Sequence, residues 1–208
     1  MAENYHHGNL RAVLIEEGVK LVEESGVNAL TLREIGERAG VSRTAPYRHF
    51  GEKADLLAAI SEAGFREFSN TLEGARDAAE GGFAERLDAM GMAYVRFAGE
   101  HRAYYEVMFG AGCRSDRAPG GPEARRAFGV IEGLIREGQA SGEVRGGNSR
   151  DMARVVWAAT HGVAVLRLET DFREQGAGTM LMRMLGEVLR VGLVAFERHA
   201  PEASTPRG

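Results

Sequence analysis

Residues 31–53, TLREIGERAGVSRTAPYRHFGEK, constrain this chain more tightly than any other stretch. Leu32, Ile35 and Ala39 recur at spacings of three and four, with Arg33, Glu34, Glu37 and Arg38 on the opposite side. That is the pattern of a short amphipathic helix. Thr31 stands at its cap with Glu34 three residues on, the arrangement of a capping box. Gly40 follows, and glycine accepts the positive φ of a helix C-terminus without steric cost. Ser42 offers a second N-cap, and a second short helix is expected over residues 43–49, ended by Gly51. Pro46 falls in its first turn, where a missing N–H costs little. Two short helices joined by a tight glycine turn form the helix-turn-helix pattern.

In that pattern the second helix enters the major groove of double-stranded DNA with its N-terminal residues against base edges. Arg43 can pair with guanine, and Thr44 can hydrogen-bond or lay its methyl against thymine. Tyr47, Arg48 and His49 can reach phosphates or bases, and Thr31, Arg33 and Ser42 complete the candidate contact set on this motif. Lys53 opens the next helix, where its ammonium and the free amides of a helix N-terminus together favour phosphate.

GVSRTAPYRHF followed by EKADLL resembles the DNA-binding segment of the TetR family of transcriptional regulators. The resemblance extends back through LVEESGVNALTLREIGERAG and covers about the first quarter of the chain. It implies an all-α protein in two parts: a three-helix head and a larger helical body that dimerises and encloses a pocket. It further implies a ligand-responsive regulator, usually a repressor, released from DNA by a small effector. A dimer presents two reading elements, so the expected operator is a near-palindrome with half-sites about one helical turn, ~34–36 Å, apart or more. YHHGNLR also resembles the N-terminal stretch of a subset of these regulators, which makes Arg11 a candidate contact of an N-terminal arm. Further on, Trp157, His161 and Gly162 resemble the signature of the WHG-type C-terminal domain.

The chain carries a net charge of −4, which at first argues against a nucleic-acid partner. Between 31 and 53, however, five basic residues face three acidic ones, a local +2 that leaves −6 for the remainder. A weakly basic footprint on an acidic body suits groove reading by a small surface. No apolar run approaches the ~20 residues of a membrane span, and the N-terminus lacks the layout of a signal peptide. The single cysteine, Cys113, excludes an internal disulfide and a multi-cysteine zinc site, so a reducing cytoplasm is expected. No nucleophile-elbow, phosphate-loop, dinucleotide or metal-ligand spacing is present. Neither a cofactor nor an enzymatic activity is expected, although Cys113, His161 and Asp151 are the residues a nucleophilic constellation would need. Cys113 falls in a glycine-rich loop over residues 110–121 and reads as incidental.

The chain order divides it at about residue 52, with a DNA-binding domain over 1–52 and a ligand-binding and dimerisation domain over 53–208. A first helix is expected up to about residue 25, and a long helix from 53 to about 78, roughly 39 Å at 1.5 Å per residue. Phe83, Leu87, Met90, Tyr94, Phe97 and His101 form the cleanest apolar stripe, followed by a short helix bearing Tyr104, Tyr105, Met108 and Phe109. Such a stripe packs a core, yet aromatics, methionines and tyrosine hydroxyls also describe the wall of a pocket for a mostly apolar ligand. Met90, Tyr94, Phe97, Tyr105, Met108, Phe109, Phe128, Trp157 and His161 are the candidate effector contacts. Trp157 and His161, four apart, share a face and can equally form a buried stack, and Gly162 would permit close helix approach. The last two helices, about 149–169 and 178–199, are apolar on two faces and must be buried on two, which fits a four-helix homodimer interface. The alternative reading is a helical small-molecule-binding protein whose head contacts a protein partner.

Overall fold

The computed structural model describes residues 10–110, 121–169 and 177–193, and among them every regular element is helical. Eight α-helices follow one another: α1 (Leu10–Ser25), α2 (Leu32–Arg38), α3 (Lys53–Ala78), α4 (Phe83–Glu100), α5 (Arg102–Phe109), α6 (Pro122–Ser141), α7 (Ser149–Glu169) and α8 (Ala177–Leu193). Single 3₁₀ turns occupy Val27–Ala29 and Pro46–Arg48. Cys113 and the first nine residues lie outside the described residues, as does the end of the last predicted helix beyond 193.

Two apolar clusters organise these helices. The head cluster gathers Leu14 and Val22 of α1, Leu30, Ile35 of α2, Phe50, and Leu56 and Ile60 from the first half of α3. The body cluster gathers Phe68 and Leu72 from the second half of α3 with residues of α4 to α8. The long helix is therefore a shared rod whose apolar stripe changes partners along its length. The short α5 also belongs to both clusters: Ala103 and Val107 enter the head, whereas Tyr105 and Met108 enter the body. Gly18 in α1, which costs about 1 kcal/mol of helix propensity, lies where a Cβ would come within 2.9 Å of Ile60 Cδ1. The glycine lets α1 and α3 approach.

The second helix expected over 43–49 is a tighter, shorter element. Pro46 has no N–H to give the Ser42 carbonyl, so the i→i−4 ladder cannot start there. Instead Ala45 N donates to Ser42 O (3.0 Å), Arg48 N to Ala45 O (3.2 Å) and His49 N to Pro46 O (3.0 Å), all three-residue steps, before Phe50 N closes the segment with a four-residue step to Pro46 O (2.9 Å). Ser42 does not act as its side-chain cap. Its hydroxyl lies 3.3 Å from that of Thr44.

Candidate functional site: a reading face on the head and a cleft in the body

The reading face is held from behind by apolar contacts. Leu32, Ile35 and Gly36 of α2, Pro46 and Phe50 are all buried. Gly36 is required for this: a Cβ there would meet Pro46 Cγ at 2.8 Å. Gly40 adopts φ 67°, and the helix end is a Schellman motif, with Val41 N on Gly36 O (3.0 Å) and Gly40 N on Glu37 O (3.2 Å). At the other end Thr31 Oγ1 accepts from Glu34 N (3.1 Å). The Glu34 carboxylate does not complete the predicted box in kind and instead lies 3.6 Å from Arg38 Nε.

Turned outward from this support are Thr31, Arg33, Ser42, Arg43, Thr44, Tyr47, Arg48 and His49, all exposed. Tyr47 is 56 % exposed, which is unusual for a large aromatic in so small a head. Glu37 sits between Arg33 (3.1 Å) and Arg43 (3.6 Å) and pairs with both. Arg38 turns away from the face and pairs with Glu24 of α1.

Lys53 stands differently from its sequence expectation. Its Nζ donates to the carbonyls of Val27 (2.9 Å) and Asn28 (3.4 Å), fastening the start of α3 to the turn between α1 and α2. The amides around it are not free either. Gly51 N and Glu52 N both donate to Asp55 Oδ2 (3.0 and 3.2 Å), and Glu52 closes a capping box. Carboxylates of the chain itself thus hold the position that a phosphate was expected to take. Arg11, the arm candidate, places its guanidinium 5.4 Å from the centre of the Phe50 ring.

In the body, the nine candidate effector residues separate into two groups. Phe97, Tyr105, Met108, Phe109, Phe128, Trp157 and His161 pack into one aromatic cluster around Phe68 and Tyr94. Trp157 meets Phe68, Tyr94, Phe109 and Phe128 at centroid distances of 5.9, 5.7, 6.2 and 6.0 Å. His161 Nδ1 lies 2.7 Å from the Tyr105 hydroxyl and 3.1 Å from that of Tyr94. Burial holds the imidazole pKa below its ordinary value and pushes the Tyr94 phenol well above its own. Met90 and Tyr94, in contrast, also line a narrow cleft that opens to solvent. Leu72 of α3, Leu87, Asp88 and Gly91 of α4, and Ile131 of α6 form part of its wall. Val156 and Thr160 of α7 and Met182, Gly186 and Leu189 of α8 complete it. Asp88, Gly91, Met182 and Gly186 carry no signal in the sequence, because nothing in the spacing of either helix marks the side that another helix will face.

Asp151 is exposed and paired with Arg154 (2.7 Å), while His161 faces two tyrosines, so these two do not join in a nucleophilic arrangement. Gly162 has nothing within 4 Å of an added Cβ; the close approach expected there does not occur within the protomer. Val155 and Leu166 on α7 and Met180, Met184, Val188 and Val191 on α8 are exposed apolar residues, Val188 at 68 %. No described helix is long and apolar enough to cross a membrane.

Residues 14–60 match the family model for bacterial regulatory proteins of the tetR family, and residues 87–189 match that for a tetracyclin repressor-like C-terminal domain. This chain belongs to the TetR family. The family match covers the reading face and the cleft, and the protein is a DNA-binding transcriptional regulator. Its C-terminal match names a tetracyclin repressor-like domain rather than the WHG type. Over 199 residues the chain is 27 % identical to tetracycline repressor protein class A from transposon 1721 of Escherichia coli, covering 94 % of this chain and 84 % of that one. A solved structure of a protein of unknown function from Rhodococcus sp. RHA1 superposes with a TM-score of 0.80 at 31 % identity, covering 93 % of this chain and all (100 %) of that one. A TetR-family transcriptional regulator from Pectobacterium atrosepticum has a TM-score of 0.71 at 23 % identity, with coverages of 91 % and 96 %. TetR-family proteins are regulators rather than enzymes; they bind DNA and small-molecule effectors and are dimers.

Proposed function

We propose that this regulator is a cytoplasmic, homodimeric repressor that reads a near-palindromic operator with residues 31–53 and is released by a small, mostly apolar effector bound in the body. The observation that carries the reading is the exposed row of Arg33, Arg43, Thr44, Tyr47, Arg48 and His49 on a motif whose other side is locked into the head core. Arg43 and Thr44 read base edges; Thr31, Arg33, Ser42, Tyr47, Arg48 and His49 contact phosphates and adjacent bases. The pairs of Glu37 with Arg33 and Arg43 are exposed, worth ~0–1 kcal/mol, and so exchange readily for phosphate. Lys53 keeps a third donor after its two carbonyl bonds, and that donor is available to the DNA backbone.

Reading belongs to residues 1–52 and sensing to 53–208, and α3 and α5 pack into both cores. Because α5 contributes to both cores, a shift of Tyr105 and Met108 carries Ala103 and Val107 with it. A coupling of ~1–3 kcal/mol, 5–150-fold in affinity, suffices for induction. The exposed apolar stripes of α7 and α8 supply the dimer interface, with Gly162 leaving room for a partner helix.

The test is selection of duplexes from a random pool, with affinity read at two salt concentrations. A palindrome is the expected product. Arg43→Ala then loses discrimination among sequences, whereas Lys53→Ala weakens all sequences alike and lowers the salt slope by about one. Recovery of no enriched sequence, even after unfolding and refolding to strip a bound effector, removes the repressor reading.

A further inference from the structure

We propose that the cleft capped by Asp88 is the effector site and that it selects a slim cationic amphiphile, an aliphatic chain ending in an ammonium group. The proposal rests on the effector-responsive reading above and adds the place and the chemistry of the ligand.

The walls of the cleft are mostly aliphatic and thioether side chains, joined by Tyr94 and Thr160, and Asp88 is the one charged residue among those that line it. Two glycines shape the site. At Gly91 a Cβ would come within 2.6 Å of Met182 Cε, so the missing side chain is what lets Met182 of α8 close onto α4 at this level. At Gly186 the place of a Cβ is taken by the Asp88 carboxylate, which therefore lies against the backbone of α8 beside the cleft while staying in part exposed. The carboxylate is held by Arg190 at 3.7 Å, with both side chains more than a third exposed (37 % and 41 %). An exposed pair of that length is weak and easily exchanged. A ligand ammonium can take the place of the guanidinium, which then swings into solvent with its charge fully hydrated. An anionic head group in the same place would face the carboxylate across an apolar cleft and is disfavoured. Met182 and Met90 have unbranched, adaptable side chains that can part to admit a chain without disturbing the helix backbone. A stiff, broad ligand is excluded because α4 and α8 close on each other through Gly91 and Met182.

The one tryptophan of the chain reports on this site. The Trp157 ring lies 5.7 Å from that of Tyr94, which lines the cleft. Emission of Trp157 in the full-length protein is titrated with octylammonium, octanoate and octanol, each below its micelle concentration. A saturable change is expected with octylammonium at least about tenfold tighter than with octanoate, the scale of one charge-assisted contact. Asp88→Asn is expected to remove that preference and leave octanol binding unchanged. Gly91→Leu is expected to abolish all three, and its fold is checked by circular dichroism. Octanoate binding as tightly as octylammonium, a charge preference that survives Asp88→Asn, or undiminished binding by a folded Gly91→Leu protein each overturns the site. Because the titration needs no DNA, the two readings fail separately. Duplex recognition without the emission change overturns the cleft alone. Charge-selective binding without duplex recognition supports the cleft and overturns the repressor.

Discussion

His161 presents one nitrogen to two phenols, and this governs how the body responds to acid. Nδ1 of the neutral ring shares a hydrogen bond with the nearer Tyr105 hydroxyl, and burial opposes the charged form. In the unfolded chain the imidazole titrates near its ordinary 6.5, whereas in the folded protein its pKa is lower. The unfolded state therefore binds more protons just below that value, and stability falls as pH falls. The contribution is fully present above about pH 6.5 and is lost on descent toward the folded pKa. The carboxylates held low by hydrogen bonds, Glu24 to Arg38, Asp77 to Arg76, Glu123 to Arg66 and Glu143 to the Phe83 amide, unload only below their own ordinary values. Urea unfolding at about pH 7.5 and about pH 5.5 isolates the histidine from them. Wild type is expected to lose more stability between the two than His161→Gln, which keeps an acceptor but does not titrate. Equal losses would remove His161 as the cause. Which role Trp157 and His161 play was open in the sequence, since their partners come from helices 56 and 67 residues away.

At the scale of elements, α5 is eight residues long and touches both cores, and its seat is cut by Gly64 of α3. An added Cβ there would lie 2.7 Å from Met108 Sδ and 2.9 Å from Tyr104 Cδ1. Gly64→Ala gains up to ~1 kcal/mol of helix propensity but overpacks a buried contact at ~1–3 kcal/mol, so a net loss of about 1 kcal/mol is expected. The lost stability is read by thermal unfolding. If α5 is the relay, the same variant shifts duplex affinity although it is remote from the reading face. Unchanged affinity in a destabilised variant would confine α5 to a structural role. The helical periodicity of α1, α3, α4 and α5 was legible because each buries a regular stripe. The 43–49 segment was not legible in the same way. Its capping signals point to an α-helix, and the hydrogen bond that Pro46 cannot make decides for a 3₁₀ turn.

Across the molecule as a whole, the apolar rows on α7 and α8 are left exposed by the described residues of the protomer. Met180, Met184, Val188 and Val191 recur at four, four and three, one continuous stripe. Combining Met184→Glu with Val188→Glu is expected to weaken self-association at least about tenfold by placing like, unpaired charges in an apolar contact. Sedimentation checks it. Duplex binding should weaken in parallel, because a monomer offers one reading face instead of two. A variant that remains dimeric would move the interface elsewhere on the surface.

Features that depend on neighbours along the chain are legible in the sequence. That covers the helices and their stripes, the glycine stop at Gly40, the outward set of polar residues on the reading face, and the surplus of apolar surface on the last two helices. All of these follow from spacing and from the φ that each residue type tolerates. Tertiary structure decided the rest, because it depends on which side chains meet from distant parts of the chain. Lys53 became a clasp on Val27 and Asn28, the aromatic residues gathered around His161, and a cleft formed between α4 and α8, where Met182 packs over Gly91 and Asp88 over Gly186.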